Sequence, residues 1–227
     1  MPSREFLNEV MTAWYLFRLN YSIFICSCLE VPLFFLPAFV HRMRVLEPMQ
    51  LATKGSVDAT CLAIRHGWAI NLAGGYHHAC SSTGGGFCIY PDITMMVHYA
   101  RKWHNLSRIM IVDLDAHQGN GHERDFLTDS TVHIVDAYNP YIYPGDTFAE
   151  QGISTRIAVT RHDDDESYLK KIIEGVERAV EGFRPELIIY NAGTDCMQND
   201  PLGQMNISPG GIVKRDAVMF EMAVEKY

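Results

Sequence analysis

Short apolar runs alternate with helical patterns over the second half of the chain, and this order constrains the fold more than any other feature. Residues 108–114 and 186–190 are continuous apolar runs, as expected of strands that are buried on both faces. Residues 132–137 and 157–160 are two shorter strand candidates, and residues 163–183 place an acidic turn before apolar residues at helical spacing. This order predicts an α/β fold with a mostly parallel sheet and helices on both faces.

Two helices and one short strand are predicted nearer the N-terminus. The pattern favours a helix over residues 53–66 and a strand over residues 68–72, followed by paired glycines. Asp92 is predicted to cap a second helix that continues to Trp103. Since no repeat or Gly/Ser linker divides the sequence, one domain is the default organisation.

The composition is that of an ordinary globular protein, because 48% of the 227 residues are hydrophobic and 20% are charged. The net charge of -8 argues against nucleic-acid binding, since phosphate contacts need clustered Lys and Arg. A basic peptide such as a histone tail is electrostatically compatible with this charge. The six cysteines form no C-x-x-C pair, which favours free thiols in a reducing compartment.

Residues 14–40 are unusually apolar and long enough to span a bilayer. Arg18 and Glu30 interrupt this segment, and Pro32 and Pro37 break any single helix in it. Charged groups and helix breakers are costly in lipid, so we expect the segment to pack on the core or to be left exposed. A membrane protein built on these residues is the alternative.

Acidic and histidine side chains cluster at the predicted ends of two strands. Asp113, Asp115 and His117 alternate at the end of the first strand, so their side chains can face the same way. Asp195 follows the other strong strand, and ligands collect at this edge of open α/β sheets. Asp115, His117 and Asp195 would form the three-ligand, open site that catalytic zinc uses. Taken alone, Asp-x-His would favour a turn or capping cluster over a metal site.

Adjacent histidines follow paired glycines in residues 74–78. Glycines let the backbone approach a bound group closely, and imidazoles can transfer protons near neutral pH. We therefore interpret His77 and His78 as catalytic candidates.

Four motifs in residues 74–78, 81–88, 111–121 and 191–200 occur in the order and spacing of a known family. Together they resemble the zinc-dependent histone deacetylases, most closely the class IV branch, from about residue 29 to near the C-terminus. The resemblance implies the arginase/deacetylase-like α/β fold.

The resemblance also implies roles for individual residues. It assigns Asp115, His117 and Asp195 to one catalytic zinc ion. It assigns His78 to the general base, with Asn120 as its partner where some branches of the family carry Asp.

Three further features follow only from the resemblance. His77 would be oriented by a buried aspartate, Asp113, which with nearby backbone carbonyls would also hold a structural potassium ion. A tunnel for the acyl-lysine chain would be lined by Gly86, Phe87 and Tyr143.

The implied activity is hydrolysis of acyl-lysine in peptides or proteins such as histone tails. Long-chain defatty-acylation is associated with the class IV branch. The resemblance further implies a chromatin regulator of the nucleus and cytoplasm that has co-repressor or other deacetylase partners.

The resemblance fails at both ends of the sequence. No tyrosine in a glycine-rich motif follows the last motif, so no transition-state tyrosine is assigned in this chain. The first strand of the family is also expected to lie upstream. We predict a divergent apolar segment over residues 1–28 and an incomplete, partial catalytic domain over residues 29–227, truncated at both ends.

Two alternative functions remain open. The absent tyrosine motivates a non-catalytic fragment that binds zinc or acyl-lysine and acts through partners. An arginase-like binuclear manganese hydrolase is disfavoured because its bridging motif needs Asp two residues after the histidine, where this chain has Gly119.

Overall fold

The computed structural model describes residues 4–225, which divide into two compact units. Within the described residues, the first unit comprises residues 4–105 and 120–125, and the second comprises residues 106–119 and 126–225.

A four-stranded, wholly parallel sheet organises the second unit. Its strands, in the spatial order β3-β2-β1-β4, are β1 (Ile109–Asp113), β2 (Val132–Tyr138), β3 (Thr155–Ala158) and β4 (Leu187–Asn191). All five residues of β1 are buried, because a central strand of such a sheet is covered on both faces. In register, Asp113 of β1 pairs with Asp136 of β2 and with Asn191 of β4, so polar residues form a row at the carboxyl edge.

Two long helices complete the second unit. The helix α8 (Asp165–Phe183) packs on β2 and β3, and α9 (Pro209–Glu225) packs on α8. The carboxylate of Asp164 caps α8 by accepting a hydrogen bond from the backbone N–H of Ser167. The core shared by the sheet and these helices includes Met110, Val112, Val135, Ile172, Val176 and Met219.

The first unit is helical. Its helices are α1 (Arg4–Val10), α2 (Ala13–Arg18), α3 (Ser22–Leu29), α4 (Ala38–His41), α5 (Glu47–His66), α6 (Asp92–His104) and α7 (Asn120–Asp125). A π-helical turn over Arg42–Leu46 leads into α5, and a 3-10 turn over Ala149–Gly152 lies in the second unit. Within the first unit, α5 packs on α6, and α1 and α7 also contact α6.

The predicted α/β fold with a parallel sheet and packed helices is confirmed, including all four predicted strands and α8. The helix predicted over residues 53–66 is the C-terminal part of the longer α5. The strand predicted over residues 68–72 is wrong, because this segment is irregular and Leu72 is 99% exposed. The amide of Asn71 in this segment donates instead to the carbonyl of Ala52 and to the hydroxyl of Ser56.

The capping role predicted for Asp92 is also wrong. Asp92 is the first residue of α6 and Pro91 occupies the cap position, while the Asp92 carboxylate is buried and accepts hydrogen bonds from a distant loop. The pattern could not show this because an acidic residue at a helix start looks the same in either role.

The apolar segment of residues 14–40 forms three short helices, α2 to α4, with a mixed surface. Tyr15 and Ile25 are buried, and the Tyr15 hydroxyl donates to the carbonyl of Ile89 at 2.7 Å. Trp14 and Ile23 are in contrast strongly exposed. Among residues 4–225, no helix combines the length and the hydrophobicity needed to cross a membrane.

Candidate active site and metal centre

The loops that follow β1 and β4 bring three potential metal ligands together in the second unit. One donor atom from each of Asp115, His117 and Asp195 lies within 4.8 Å of the others. The Nδ1 atom of His117 is 2.7 Å from Oδ2 of Asp195 and 3.2 Å from Oδ1 of Asp115. The structure therefore clusters the three residues that the sequence predicts as ligands.

Backbone N–H groups hold both carboxylates in place. Oδ1 of Asp115 accepts from the N–H of His117 at 2.9 Å, and Oδ1 of Asp195 accepts from the N–H of Ala116 at 2.8 Å. The other oxygen of Asp195, Oδ2, faces Nδ1 of His117. The three side chains are between 13% and 22% exposed, so solvent reaches the cluster.

Gly193 allows the loop after β4 to come this close to Asp115. A Cβ atom at position 193 would lie 2.4 Å from Oδ2 and 2.6 Å from Cα of Asp115. Because these distances are far below van der Waals contact, a larger residue would push the two ligand-bearing loops apart.

The electrostatics of the cluster favour a bound cation. Burial lowers the pKa of His117, but hydrogen bonds to Asp115 and Asp195 and the negative charge of both outweigh it and raise the pKa to about 9. Burial raises the pKa of Asp195, which its hydrogen bond to His117 opposes. Near neutral pH, an imidazolium therefore stands between two carboxylates when no metal is bound. Two oxygen donors, one nitrogen donor and an open side also fit a catalytic zinc ion.

A buried carboxylate organises the histidine loop of the first unit. Asp92 accepts hydrogen bonds from the backbone N–H groups of Gly75 and Tyr76, both at 2.8 Å, and from the hydroxyl of Ser56 at 2.6 Å. Burial raises the pKa of Asp92, and these hydrogen bonds oppose that effect by stabilising the ionised form. The loop that leads into His77 is thus held through its backbone.

The side chain of Asn120, the first residue of α7, lies beside His78. Nδ1 of His78 is 2.8 Å from Oδ1 of Asn120. Because a carboxamide oxygen only accepts hydrogen bonds, His78 donates from Nδ1, and its neutral ring keeps the lone pair on Nε2. The ring of His77 is a close neighbour, with 4.0 Å between the two ring centroids.

The backbone of α7 also contacts the histidine loop directly. The N–H of Gly121 donates to the carbonyl of His77 at 2.8 Å. A Cβ atom at position 121 would lie only 2.2 Å from the carbonyl oxygen of Ala79. The approach that places Asn120 beside His78 therefore requires glycine at position 121.

Residues 6–226 match the model of the histone deacetylase domain family. The chain belongs to the histone deacetylase family. This membership confirms the family that the four motifs indicate.

Curated relatives include a plant histone deacetylase and bacterial proteins. The chain is 46% identical to histone deacetylase 2 of Arabidopsis thaliana over 213 residues, which are 93% of this chain and 55% of the relative. It is 31% identical to an uncharacterized protein of Picosynechococcus sp. over 77% of the chain and 57% of that protein. It is 32% identical to the acetoin utilization protein AcuC of Staphylococcus aureus over 63% of the chain and 40% of AcuC. The chain thus spans about half the length of the curated relatives it matches.

Two solved structures have the same fold. A histone deacetylase homologue crystallised with SAHA aligns with a TM-score of 0.78 at 24% identity, over 98% of this chain and 63% of the homologue. The HD domain of HDA15 aligns with a TM-score of 0.78 at 19% identity, over 97% and 65% of the two chains. At these identities the likeness shows the deacetylase fold.

The remaining predicted residues of this histone deacetylase chain lie in both units. Asp113 is buried at the end of β1, where Oδ1 accepts from the amide of Asn191 at 2.9 Å and from the N–H of Asp115 at 3.2 Å. In the second unit, the ring of Tyr143 lies 6.4 Å from the ring of His117. The pairing of His77 with Asp113 and the potassium site stay predictions.

Gly86 and Phe87, the other predicted tunnel residues, lie on a tight turn of the first unit. Both have positive φ angles, of 50° and 65°, and Phe87 is 53% exposed. A positive φ is uncommon for an aromatic residue, so the turn holds Phe87 in a strained conformation that exposes its ring. Their role in a tunnel stays a prediction.

The sequence patterns did not indicate the roles of several contributing residues. Asp92 and Arg215 act through backbone groups of distant loops, which no local pattern encodes. Gln118 lies inside a recognised motif, and its amide exchanges two hydrogen bonds of 3.0 Å with the backbone of Asp146. The only sequence signal for Gln118 was its position directly after His117, a predicted metal ligand.

Gly121→Ala should destabilise the protein although alanine favours helices. The added methyl group would displace the carbonyl of Ala79, so we expect a loss of about 1–3 kcal/mol in the free energy of unfolding. Urea denaturation of the purified chain measures this change.

The matched control for Gly121→Ala is Gly182→Ala in α8, where the structure leaves open space around the new methyl group. It should stabilise by up to about 1 kcal/mol. Equal effects of the two substitutions would contradict the close contact at Gly121.

The affinity of the cluster for a divalent cation such as zinc should rise with pH up to about 9. Below this pH the metal must displace a proton from His117, so the association constant should increase about tenfold per pH unit and level off above the pKa. Chelator competition at several pH values measures it. The control His133→Gln, which alters a second-unit histidine outside the cluster, should keep this slope. A pH-independent affinity of the unmodified chain would contradict the positive charge assigned to His117.

Proposed function

We propose that this chain carries the metal centre of a zinc-dependent protein lysine deacylase, which hydrolyses the amide bond of acyl-lysine. The observation that carries the proposal is the cluster of Asp115, His117 and Asp195 in a chain that matches the histone deacetylase domain over residues 6–226. The names of the plant relative and of the solved homologue support the same reaction class.

The metal ligands in this proposal are Asp115, His117 and Asp195, holding one zinc ion. When bound, zinc would supply Lewis acidity that polarises the acyl carbonyl and lowers the pKa of a water molecule toward about 7. The ligand residues themselves keep two negative charges and one neutral imidazole at the site, since the proton on His117 leaves when the metal enters.

The general base in this proposal is His78. Its hydrogen bond to Asn120 places the ring proton on Nδ1, so Nε2 is the nitrogen that would accept a proton from the attacking water. The C–N bond of the amide then breaks, and a histidine returns a proton to the leaving lysine amine. His77, supported by Asp113, is the second histidine of this proton transfer.

The substrate would be an acyl-lysine side chain in a peptide or protein. Gly86, Phe87 and Tyr143 are proposed to line its tunnel, and Asp113 with nearby carbonyls to hold a structural potassium ion. The net charge of -8 suits basic peptides such as histone tails. We further propose that the protein belongs to the class IV branch and removes long fatty acyl groups. Co-repressor partners and a location in the nucleus and cytoplasm are also part of this proposal.

Incubation with acetyl-lysine and myristoyl-lysine peptides tests this function directly. The zinc-loaded full chain should release free lysine peptide and the corresponding acid, detected by mass spectrometry. His78→Ala should lower the rate by about 10²- to 10⁴-fold, because general-base catalysis is lost while the metal ligands remain. Asp195→Asn should lower both zinc binding and turnover.

The outcomes separate the competing functions. Zinc-dependent peptide binding without turnover would favour the non-catalytic module. Two manganese ions per chain would favour the binuclear hydrolase. A chain that binds neither zinc nor peptide would contradict the proposal.

Asn120→Asp should change the pH dependence of turnover. A carboxylate beside Nδ1 stabilises the imidazolium form of His78, so the general base stays protonated to higher pH. The acidic limb of the pH–rate profile should therefore move to higher pH. Asn206→Asp, the same charge change at an exposed position, should leave the profile in place, and an unmoved profile in Asn120→Asp would argue against His78 as the base.

A further inference from the structure

Arg215 is a buried cation to which the sequence patterns assign no role. It lies on α9 with a fully buried side chain, although arginine is almost never fully buried without partners. Its Nε and Nη2 atoms both lie 2.8 Å from Oδ1 of Asp216, and the hydroxyl of Tyr190 donates to the same oxygen at 2.6 Å. Its charge is thus paired with the adjacent residue, which leaves Nη1 for other contacts.

Nη1 of Arg215 bridges the two loops that carry the metal ligands. It donates to the carbonyl of Gly193 at 2.6 Å and to the carbonyl of Leu114 at 3.2 Å. Leu114 directly precedes Asp115, and Gly193 lies two residues before Asp195. Nη1 also lies 3.3 Å from Sγ of Cys196. One nitrogen therefore touches the backbone on both sides of the cluster.

Contacts between α9 and α8 hold Arg215 in position. The segment that leads into α9 is anchored on α8, because the backbone N–H and hydroxyl of Ser208 both donate to the carboxylate of Asp165. A Cβ atom at Gly211 would lie 2.6 Å from that carboxylate, so the first turn of α9 is packed closely against α8. The guanidinium group is thus presented to the loops from a fixed helix.

We propose that Arg215 is a positioning residue for the metal centre, which holds the loops after β1 and β4 at the separation that lets Asp115, His117 and Asp195 bind one ion. Zinc ligands must lie about 2.0–2.2 Å from the metal, so small shifts between the loops weaken binding. This inference rests on the proposed zinc binding and adds the residue that sets the ligand spacing.

Zinc affinity of Arg215→Lys and Arg215→Met, measured by chelator competition, tests this role. Groups that orient metal ligands typically change affinity by about 10–100-fold, and we expect a loss of that size in both variants. The cobalt(II)-loaded variants should also show altered visible absorption, because the geometry of the ligands changes. Thermal unfolding in excess chelator gives the stability of each metal-free variant separately.

The matched control is Ile172→Ala, which removes buried volume from α8 in the same core. It should lower thermal stability while leaving zinc affinity within about twofold of the unmodified chain. Unchanged zinc affinity in both Arg215 variants would overturn the positioning role while the zinc proposal stands. If both Arg215 variants fail to fold in chelator while Ile172→Ala folds, Arg215 serves general stability, and the positioning role is overturned. Absence of zinc binding by the unmodified chain would overturn both proposals.

Discussion

Two carboxylates held beside one imidazole at the ends of adjacent parallel strands are the constraint around which the second unit is arranged. Asp115 and Asp195 would repel each other in a partly buried site if nothing positive stood between them. When no metal is bound, His117 supplies positive charge by keeping its proton, and the backbone N–H groups of Ala116 and His117 add partial positive charge. A divalent cation satisfies the same requirement, which is why this cluster suits a metal.

The residues around the cluster hold the ligand-bearing loops mainly through contacts to their backbone. Gly193 permits contact with Asp115, and the amide of Asn191 ties β4 to Asp113. Arg215 contacts carbonyls of both loops from α9. Buried carbonyls without partners are costly, so these contacts satisfy the loops and also define their spacing.

The histidine loop of the first unit is also held through its backbone by a buried charged side chain, but here the side chain accepts hydrogen bonds from backbone N–H groups. The buried carboxylate of Asp92 gathers backbone N–H groups, and Gly121 lets α7 approach closely enough for Asn120 to meet His78. A neutral amide beside His78 fixes the tautomer without stabilising the imidazolium as a carboxylate would. Asn120, at the start of α7, is therefore the residue that bears most directly on the pH range of His78, the proposed general base.

The sequence alone determined the parallel sheet, because short apolar runs such as residues 108–114 that alternate with helical patterns are typical of buried strands, and it determined the family through four ordered motifs. It also indicated Asp115, His117 and Asp195, since strand ends meet at one edge. Only the tertiary structure decided that residues 68–72 form no strand, that Asp92 serves a loop instead of a cap, and that Arg215 bridges two loops. The physical reason is that periodicity records which side chains are buried, whereas hydrogen bonds to backbone groups far away in the chain depend on how the elements pack.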